Sequence, residues 1–466
     1  MPPSLGQFGD KRRCAAGIDL LARLIEVGQS GVSVRALGGD RSGEVRFGRF
    51  LHCDAVTPGE MIATASAHTN GLVSGRHILA IQDTTALRDD GNQRSLNLHP
   101  TIAVDAEDGT LLGLVDAALL ARDGSAKKVH CNKRPFEEKE SRRWLDATRA
   151  SAALLAAGAR AVTVVGDREG DIYEDFALRP PEVHVLFRAN HDRVLADGTT
   201  LFSKPDGWKE LGRETIVLPA SPGRRERSVV LALRAGLVTL KRPKRNSAAE
   251  TAKLPATVTL TLVEAREVDP PAGSQPVVWR LLTSHAVASL AEARRITGFY
   301  RQRWTIEQLF RTMKTKGFDI EAVRVSEGGP FEKLAIATLI AAIQVLSLVR
   351  ERDGAAGRPA TDLFEPEELP MIEAVSASLE GNTARQKNPH PAGSLAYAVW
   401  VCARLGGWTG YYGKPGPVVM LKGMLRLQAM IGGLRLAGNR GAGAVRAPEY
   451  GCDTGMELQT LLSEAL

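Results

Sequence analysis

Tyr300, Arg303, Glu307 and Lys314 stand at offsets 0, 3, 7 and 14 in GFYRQRWTIEQLFRTMKTKGFDIE, residues 298–321. No proline occurs there, and no glycine lies between Gly298 and Gly317, so the spacing predicts one helix. At about 100° per residue the four residues share an arc of about 60°. An aromatic hydroxyl, a guanidinium, a carboxylate and an ammonium on one face suit the handling of a phosphate beside a metal ion. Arginine grips phosphate with forked donors, lysine acts as a point charge, and a carboxylate is a hard oxygen ligand. A solvated charged face uses the same residue types, and this stretch alone leaves that reading open.

Two further acids follow apolar runs of strand length: Asp83 in ILAIQDTT and Asp167 in AVTVVGDREGD. A carboxylate at a strand end is held rigidly at the edge of a sheet, where a divalent cation finds oxygen ligands in fixed geometry. Taken singly, either Asp also fits a cap or a turn. Asp171, one turn beyond Asp167, fits either support for that site or a solvated helix start. Joined by Glu307, the two make an all-oxygen site for two Mg²⁺ ions, with Mn²⁺ as a substitute. Such ions bracket a phosphorus, one at the attacking oxygen and one at the leaving oxygen. Arg303 and Lys314 then have a task, holding the phosphate.

The elements that must position these residues are legible in outline. Residues 10–75 alternate short apolar clusters with polar breaks, as a small helical unit does. HILAIQDTTAL, LNLHPTIAVDAEDGTLLGLVDAALLA, RAVTVVGDREGD and EVHVLFRAN are strand-length runs, and EEKESRRWLDATRASAALLAAG reads as an amphipathic helix ended by Gly158. Strands, a helix and more strands imply a mixed sheet with helices packed on it. From about 195 to 280 the pattern is β-rich, then helical through 351. The C-terminal part is helical around GSLAYAVWVCARLGG and VVMLKGMLRLQAMIGGLRLAG, with a flexible end expected in GNRGAGAVRAPEYGCDTG.

Composition bounds the class. The 466 residues, 44% hydrophobic and 24% charged, suit a soluble protein with two to four domains. The formal charge is +7, and residues 193–250 hold 12 basic and 6 acidic side chains, a net +6, with GRRER and KRPKR among them. A polyanionic partner is the natural inference. Five cysteines, at 14, 53, 131, 402 and 452, form no C-x-x-C pair, which argues against a disulfide framework or structural zinc and for a reducing cytosol. The start lacks the apolar core of a signal peptide, and LAIATLIAAIQVLSLV, at 334–349, reads as a buried core helix rather than a membrane span.

The Tyr300, Arg303, Glu307 and Lys314 pattern, with FGDKRR near the start, Asp83 in AIQDTT, EEKESRRWL, GDREGDI, FRANHDR, WRLLTS and AGSLAYAVWVCARLGG in order, resembles bacterial DDE cut-and-paste transposases. The branch is the one with the Y-R-E-K signature, insertion-sequence family four, of the transposon-five type. The resemblance implies an α/β ribonuclease H-like catalytic core with an all-β insertion, plus helical N-terminal and C-terminal regions. It divides the chain into a DNA-binding region at 1–75, a catalytic domain at 76–355 with the insertion at about 195–280, and a dimerisation region with a flexible tail at 356–466. Asp83, Asp167 and Glu307 become both the catalytic acids and the ligands of two Mg²⁺ ions.

The partners so implied are double-stranded DNA, as transposon ends and target, and a second copy in a homodimeric synaptic complex, with no membrane. Location follows as the bacterial cytoplasm, at the nucleoid. The implied chemistry is a nick that frees a 3′-hydroxyl, attack on the other strand to form a hairpin, reopening by water, and joining to target DNA. Trp279 would stack on a displaced base and Trp304 flank that pocket, although core packing is the plain alternative for both. Arg188, Tyr300, Arg303 and Lys314 would contact phosphates, and Lys11, Arg12 and Arg13 belong to the region that reads the ends. ARQKNPHPAGS, at 384–394, is less basic than the family is there. A catalytically inactive DNA-binding inhibitor of transposition and a host ribonuclease H-like nuclease stand as alternatives.

Overall fold

β1 (His77–Gln82) and β5 (Ala161–Gly166) are apolar runs buried along nearly their whole length, as strands covered on both faces are. They pair in parallel, Ile81 opposite Val165, and β6 (Val183–Arg188) continues in parallel on the far side of β5. The computed structural model describes residues 4–27, 32–89, 94–123, 135–218, 226–243, 253–271, 273, 275–314, 318–323, 328–354, 357–411 and 413–441.

On the other flank of β1, β3 (Arg94–Asp105) runs antiparallel and forms a hairpin with β4 (Leu111–Asp123), while β2 (Thr85–Asp89) pairs with the first half of β3. Pro100 sits where β3 exchanges one partner for the other, between Leu98 opposite Thr85 and Thr101 opposite Gln82. Proline offers no N–H to a ladder, so it is tolerated where the facing chain is unpaired. The facing residues are Asp83 and Thr84.

Beyond β6 come β7 (Gly212–Leu218), β8 (Arg227–Lys241), β9 (Thr257–Glu267) and β10 (Val278–Thr283). β10 pairs with both β6 and β9, so the path reads β2-β3-β1-β5-β6-β10-β9-β8-β7. The β-rich stretch at 195–280 therefore extends the same ten-stranded mixed sheet. GRRER up to Arg225 and KRPKR from Lys244 lie outside the described residues.

Four helices precede the sheet: α1 (Lys11–Val27), α2 (Val34–Gly38), α3 (Arg41–His52) and α4 (Pro58–Asn70), the last three opened by the side-chain caps Ser33, Asp40 and Thr57. The helix expected over 137–158 is broken into α5 (Arg142–Ala150) and α6 (Ala153–Ala156). Ser151 lies at the break and turns its hydroxyl back onto the Ala147 carbonyl, 2.8 Å away, a contact that bends helices. Gly158, at φ +94°, ends the segment as expected.

After α7 (Tyr173–Leu178) the chain returns to helix as α8 (Leu290–Gln302), α9 (Trp304–Met313), α10 (Gly329–Glu351), α11 (Leu369–Leu379), α12 (Leu395–Leu405) and α13 (Pro417–Gly441). α10 is long and apolar enough to cross a membrane, yet 94% of its apolar window is buried within the protein, so it is a core helix. It touches α1, α3 and α4 on one side and α12 and α13 on another, and one apolar core runs through all of them. Lys333, buried on α10, donates to the carbonyls of Leu51 and Cys53 at 2.9 and 2.8 Å, satisfying the C-terminal end of α3. The flexible end expected in GNRGAGAVRAPEYGCDTG lies outside the described residues apart from its first residues, which complete α13. Cys14, Cys53 and Cys402 are free thiols.

Candidate active site

Asp83 and Asp167 owe their proximity to strand register. Ile81 faces Val165 in the parallel ladder, so the chain delivers Asp83 and Asp167 side by side, each two residues further on at the carboxyl ends of adjacent strands. Strand spacing is about 4.8 Å. Asp167 also caps the turn Arg168–Gly170, accepting from the Glu169 amide at 2.7 Å, so the capping role and the site role coincide. Gly166 and Gly170 flank it because the ring of Phe187 passes too close for a side chain: a Cβ would lie 2.8 and 2.7 Å from it. Asp171 is buried, pairs with Arg193 at 2.5 Å and accepts from the Asn190 amide at 2.8 Å, which ties down the loop after β6.

The third acid arrives on a broken helix. The single helix expected over 298–314 is two, α8 and α9, meeting at Arg303. There the amides of Arg303 and Ile306 bond three residues back, to Tyr300 and Arg303, which tightens the turn. Arg350 of α10 pins the junction from behind: its guanidinium donates to Gln302 Oε1 at 2.9 Å, Thr305 Oγ1 at 3.1 Å and the Gly109 carbonyl at 2.7 Å. Arg303, turned inward, donates to Asp83 Oδ2 at 3.1 Å and to Glu307 Oε1, with all three side chains mostly shielded from solvent.

Burial, and then the charge of Asp167, pushes the Asp83 carboxyl up to about 7, while the Thr84 amide and Arg303 pull it down. Tyr300 is buried in the last turn of α8, and burial raises its phenol against the pull of Arg303 and Arg188. The helix face carrying the four signature residues is thus only partly a solvent face.

Behind Asp83 runs a buried chain of hydrogen bonds that reading by residue spacing did not find. Arg143 Nε donates to Thr84 Oγ1 at 3.0 Å; Thr84 meets His99 Nδ1 at 2.8 Å; His99 Nε2 meets Gln82 Oε1 at 2.9 Å. Gln82 Nε2 then donates to Thr148 Oγ1 at 3.3 Å and Thr148 to Asp175 Oδ2 at 3.2 Å. With the proton of a neutral His99 on Nε2, every donor points the same way, from Arg143 to Asp175. Burial holds His99 down to about 3 and raises Asp175 to about 7, so both are neutral or poised to be. The signal in the sequence is the polar His99-Pro100 pair inside an apolar strand.

The remaining expected residues separate into near and far. Arg188 ends β6, donates to the Val278 carbonyl at 3.1 Å and bonds Tyr300. Trp279 on β10 packs edge-on against Tyr300, centroids 5.8 Å apart. Trp304 is 42% exposed, with the Arg311 guanidinium 5.2 Å over its ring, so core packing does not explain it. Lys314 lies past the end of α9, paired with Glu321 at 2.7 Å and not with the acids. Lys11, Arg12 and Arg13 open α1, the first two exposed and Arg13 donating to the Phe8 carbonyl at 2.9 Å.

Among the described residues no group of three His, Cys, Asp or Glu side chains is drawn together as a metal cage. The donor chemistry nonetheless suits a hard divalent cation. Asp83, Asp167 and Glu307 offer only oxygen, and burial, followed by the charges of Asp167 and Glu307, raises the Asp83 carboxyl, a shift that a bound cation would oppose.

Residues 135–343 match the family model described as the transposase DDE domain. The span contains Asp167, Arg188, Trp279, Tyr300, Arg303, Trp304, Glu307 and Lys314, and it begins after Asp83. DDE domains have a ribonuclease H-like fold, with which the large mixed sheet agrees, and they use divalent metals and act on DNA. The match supports a DDE transposase family for this chain and, with it, a transposase function.

Proposed function

We propose that this chain is a cut-and-paste DNA transposase of insertion-sequence family four, of the transposon-five type. Asp83, Asp167 and Glu307 hold divalent cations, Mg²⁺ with Mn²⁺ as substitute, for phosphoryl transfer. The observation that carries this reading is that Asp83 adjoins both other acids, beside Asp167 at the ends of two adjacent parallel strands and joined to Glu307 through the guanidinium of Arg303. The bound cations supply the positive charge that polarises a phosphodiester and favours ionisation of the attacking hydroxyl.

The chain's own residues do the positioning. Arg303 serves as counter-charge to Asp83 and Glu307 and turns to a backbone phosphate when DNA and cations arrive. Arg188 and Tyr300 form the phosphate-facing wall beside it, and Lys314, once released from Glu321, reaches the same backbone. Trp279, braced on Tyr300, and the exposed Trp304 are the platforms for a displaced base. Lys11, Arg12 and Arg13 lie in the N-terminal region at 1–75, which reads the element ends, and residues 356–466 form the dimer contact of the synaptic complex. The reaction takes place in the bacterial cytoplasm, on nucleoid DNA.

The test is incubation of the full chain with Mg²⁺ and duplexes carrying the inverted repeats that flank its coding region. The reading expects a nick with a free 3′-hydroxyl, followed by a hairpin at the flank junction. No strand cleavage on any flanking repeat overturns it.

A further inference from the structure

A cavity of about 350 Å³ lies well along the chain from the carboxylates, in the C-terminal region, where α12 and the entry to α13 meet the turn after α10 and the segment 384–390. Its charged lining is Arg352, Arg385, Lys387 and Lys414 against the single acid Asp353, four positive and one negative, or +3 with His390 neutral. Arg385 and Lys387 are exposed and enter no ion pair among the described residues. Lys414 pairs with Asp353 at 2.7 Å, but both are at least half exposed, and such a pair exchanges partners at little cost.

The walls are Trp400 and Trp408. Trp400 is buried in α12, and the Trp408 indole is pinned by its Nε1 donating to the Gly413 carbonyl at 3.0 Å. A concave site of one sign with low-dielectric walls concentrates its field and draws in polyanions. ARQKNPHPAGS, the stretch less basic than expected, supplies Arg385 and Lys387 to this site.

We infer that this cavity is a second DNA-backbone site, binding phosphates of the same duplex whose cleavage is proposed above, so it rests on that reading. Continuity favours DNA over a free phosphate. A neighbouring cavity of about 580 Å³ shares Arg352 and Asp353 with it, and that cavity is also lined by Gln308, Arg311 and Thr312 of α9, the helix that carries Glu307. The linking cavity is charge-balanced, Arg311, Arg350 and Arg352 against Asp108, Glu351 and Asp353, so a continuous opening, with its positive charge gathered at the Trp-walled end, leads from the helix of the third acid, as a polymer requires and a single phosphate does not.

The test is fluorescence anisotropy of the full chain with a duplex of unrelated sequence, titrated at rising NaCl, for wild type, Arg385→Ala/Lys387→Ala and Arg385→Lys. Each lost phosphate contact takes about 0.9 from the slope of log K against log salt, so the double variant should be shallower by about 2 and weaker on every sequence. Arg385→Lys, which keeps the charge, should retain the wild-type slope. Equal slope and affinity for the folded double variant overturn the inference. So does stabilisation of wild type, and not of the double variant, by inorganic phosphate while duplex binding is equal, since that assigns the cavity to free phosphate. If wild type binds no duplex at all, the DNA reading itself has failed, an outcome distinct from either.

Discussion

Asp83 and Asp167 leave neighbouring parallel strands at the same level, each two residues beyond the pair formed by Ile81 and Val165. Burial, and then the charge of Asp167, disfavours the Asp83 carboxylate, and Arg303 opposes both by donating to it from the other side. The consequence for Arg303→Gln is specific. Removing the guanidinium leaves Asp83 and Glu307 without their charged donor and should cost about 2 kcal/mol in cation-free protein. Mn²⁺ should then raise the melting temperature of the variant by more than it raises that of wild type. An equal response in calorimetry would count against shared occupancy of the carboxylates.

His99 is expected to matter through position. His99→Leu leaves Gln82 Oε1 and Thr84 Oγ1 without their partner at the backbone of Asp83, a loss of about 1–3 kcal/mol. His99→Gln, which keeps a polar group, should recover part of it. Cleavage rate should fall in His99→Leu with duplex affinity retained, as kinetics on one duplex substrate would show; a fall in affinity alone would contradict the positioning role.

The histidine cluster should lose its stabilising contribution on mild acidification. His77 is held down to about 4 and His285 to about 3, in each case by burial first and then by the neighbouring His184. His77 and His285 both bond Thr163, and His285 stacks on His184, with Arg160, Arg179 and Arg295 near and Asp105 the opposing charge. Folded-state values below the usual 6.5 mean that, between about pH 6.5 and about pH 4, the unfolded chain binds protons that the folded one refuses. The stabilising contribution is therefore complete above about pH 6.5 and is lost as pH falls through that window. Asp83 and Asp175, raised to about 7, act in the opposite sense over the same range, so the check is a difference: between about pH 6.5 and about pH 4 the melting temperature of wild type should fall relative to that of His285→Gln, and parallel profiles would refute it.

Gly170→Ala should destabilise by about 1–3 kcal/mol, because its methyl would meet the Phe187 ring at 2.7 Å and Trp144 at 3.1 Å. Phe187→Leu in the same chain should return part of the loss, and denaturant midpoints would measure both. Additive losses would show that the ring is not the obstacle.

Much of this arrangement was readable beforehand, and the rest was not for definable reasons. HILAIQ and AVTVVG announce strands because buried parallel strands are continuous apolar runs, and the acids after them fall where a strand must end. Which strands adjoin is a matter of long-range pairing, so neither the alignment of Asp83 with Asp167 nor the joining of β9 to β6 through β10 could be read locally. The break at Arg303 involves no proline or glycine; its anchor, Arg350, lies far along the chain. Ser151 did carry a local signal for the break between α5 and α6, but a hydroxyl that bends a helix is indistinguishable in sequence from one that faces water.

The central claim is that Asp83, Asp167 and Glu307 act together on a phosphodiester, and its most direct measurement is Mg²⁺-dependent strand cleavage of flanking-repeat DNA by Asp83→Asn, Asp167→Asn and Glu307→Gln beside wild type. Each single change should lower the rate by about 10³-fold or more, the equivalent of several kcal/mol of transition-state stabilisation, with duplex binding intact. Cleavage at the wild-type rate by any one of the three folded variants would contradict it.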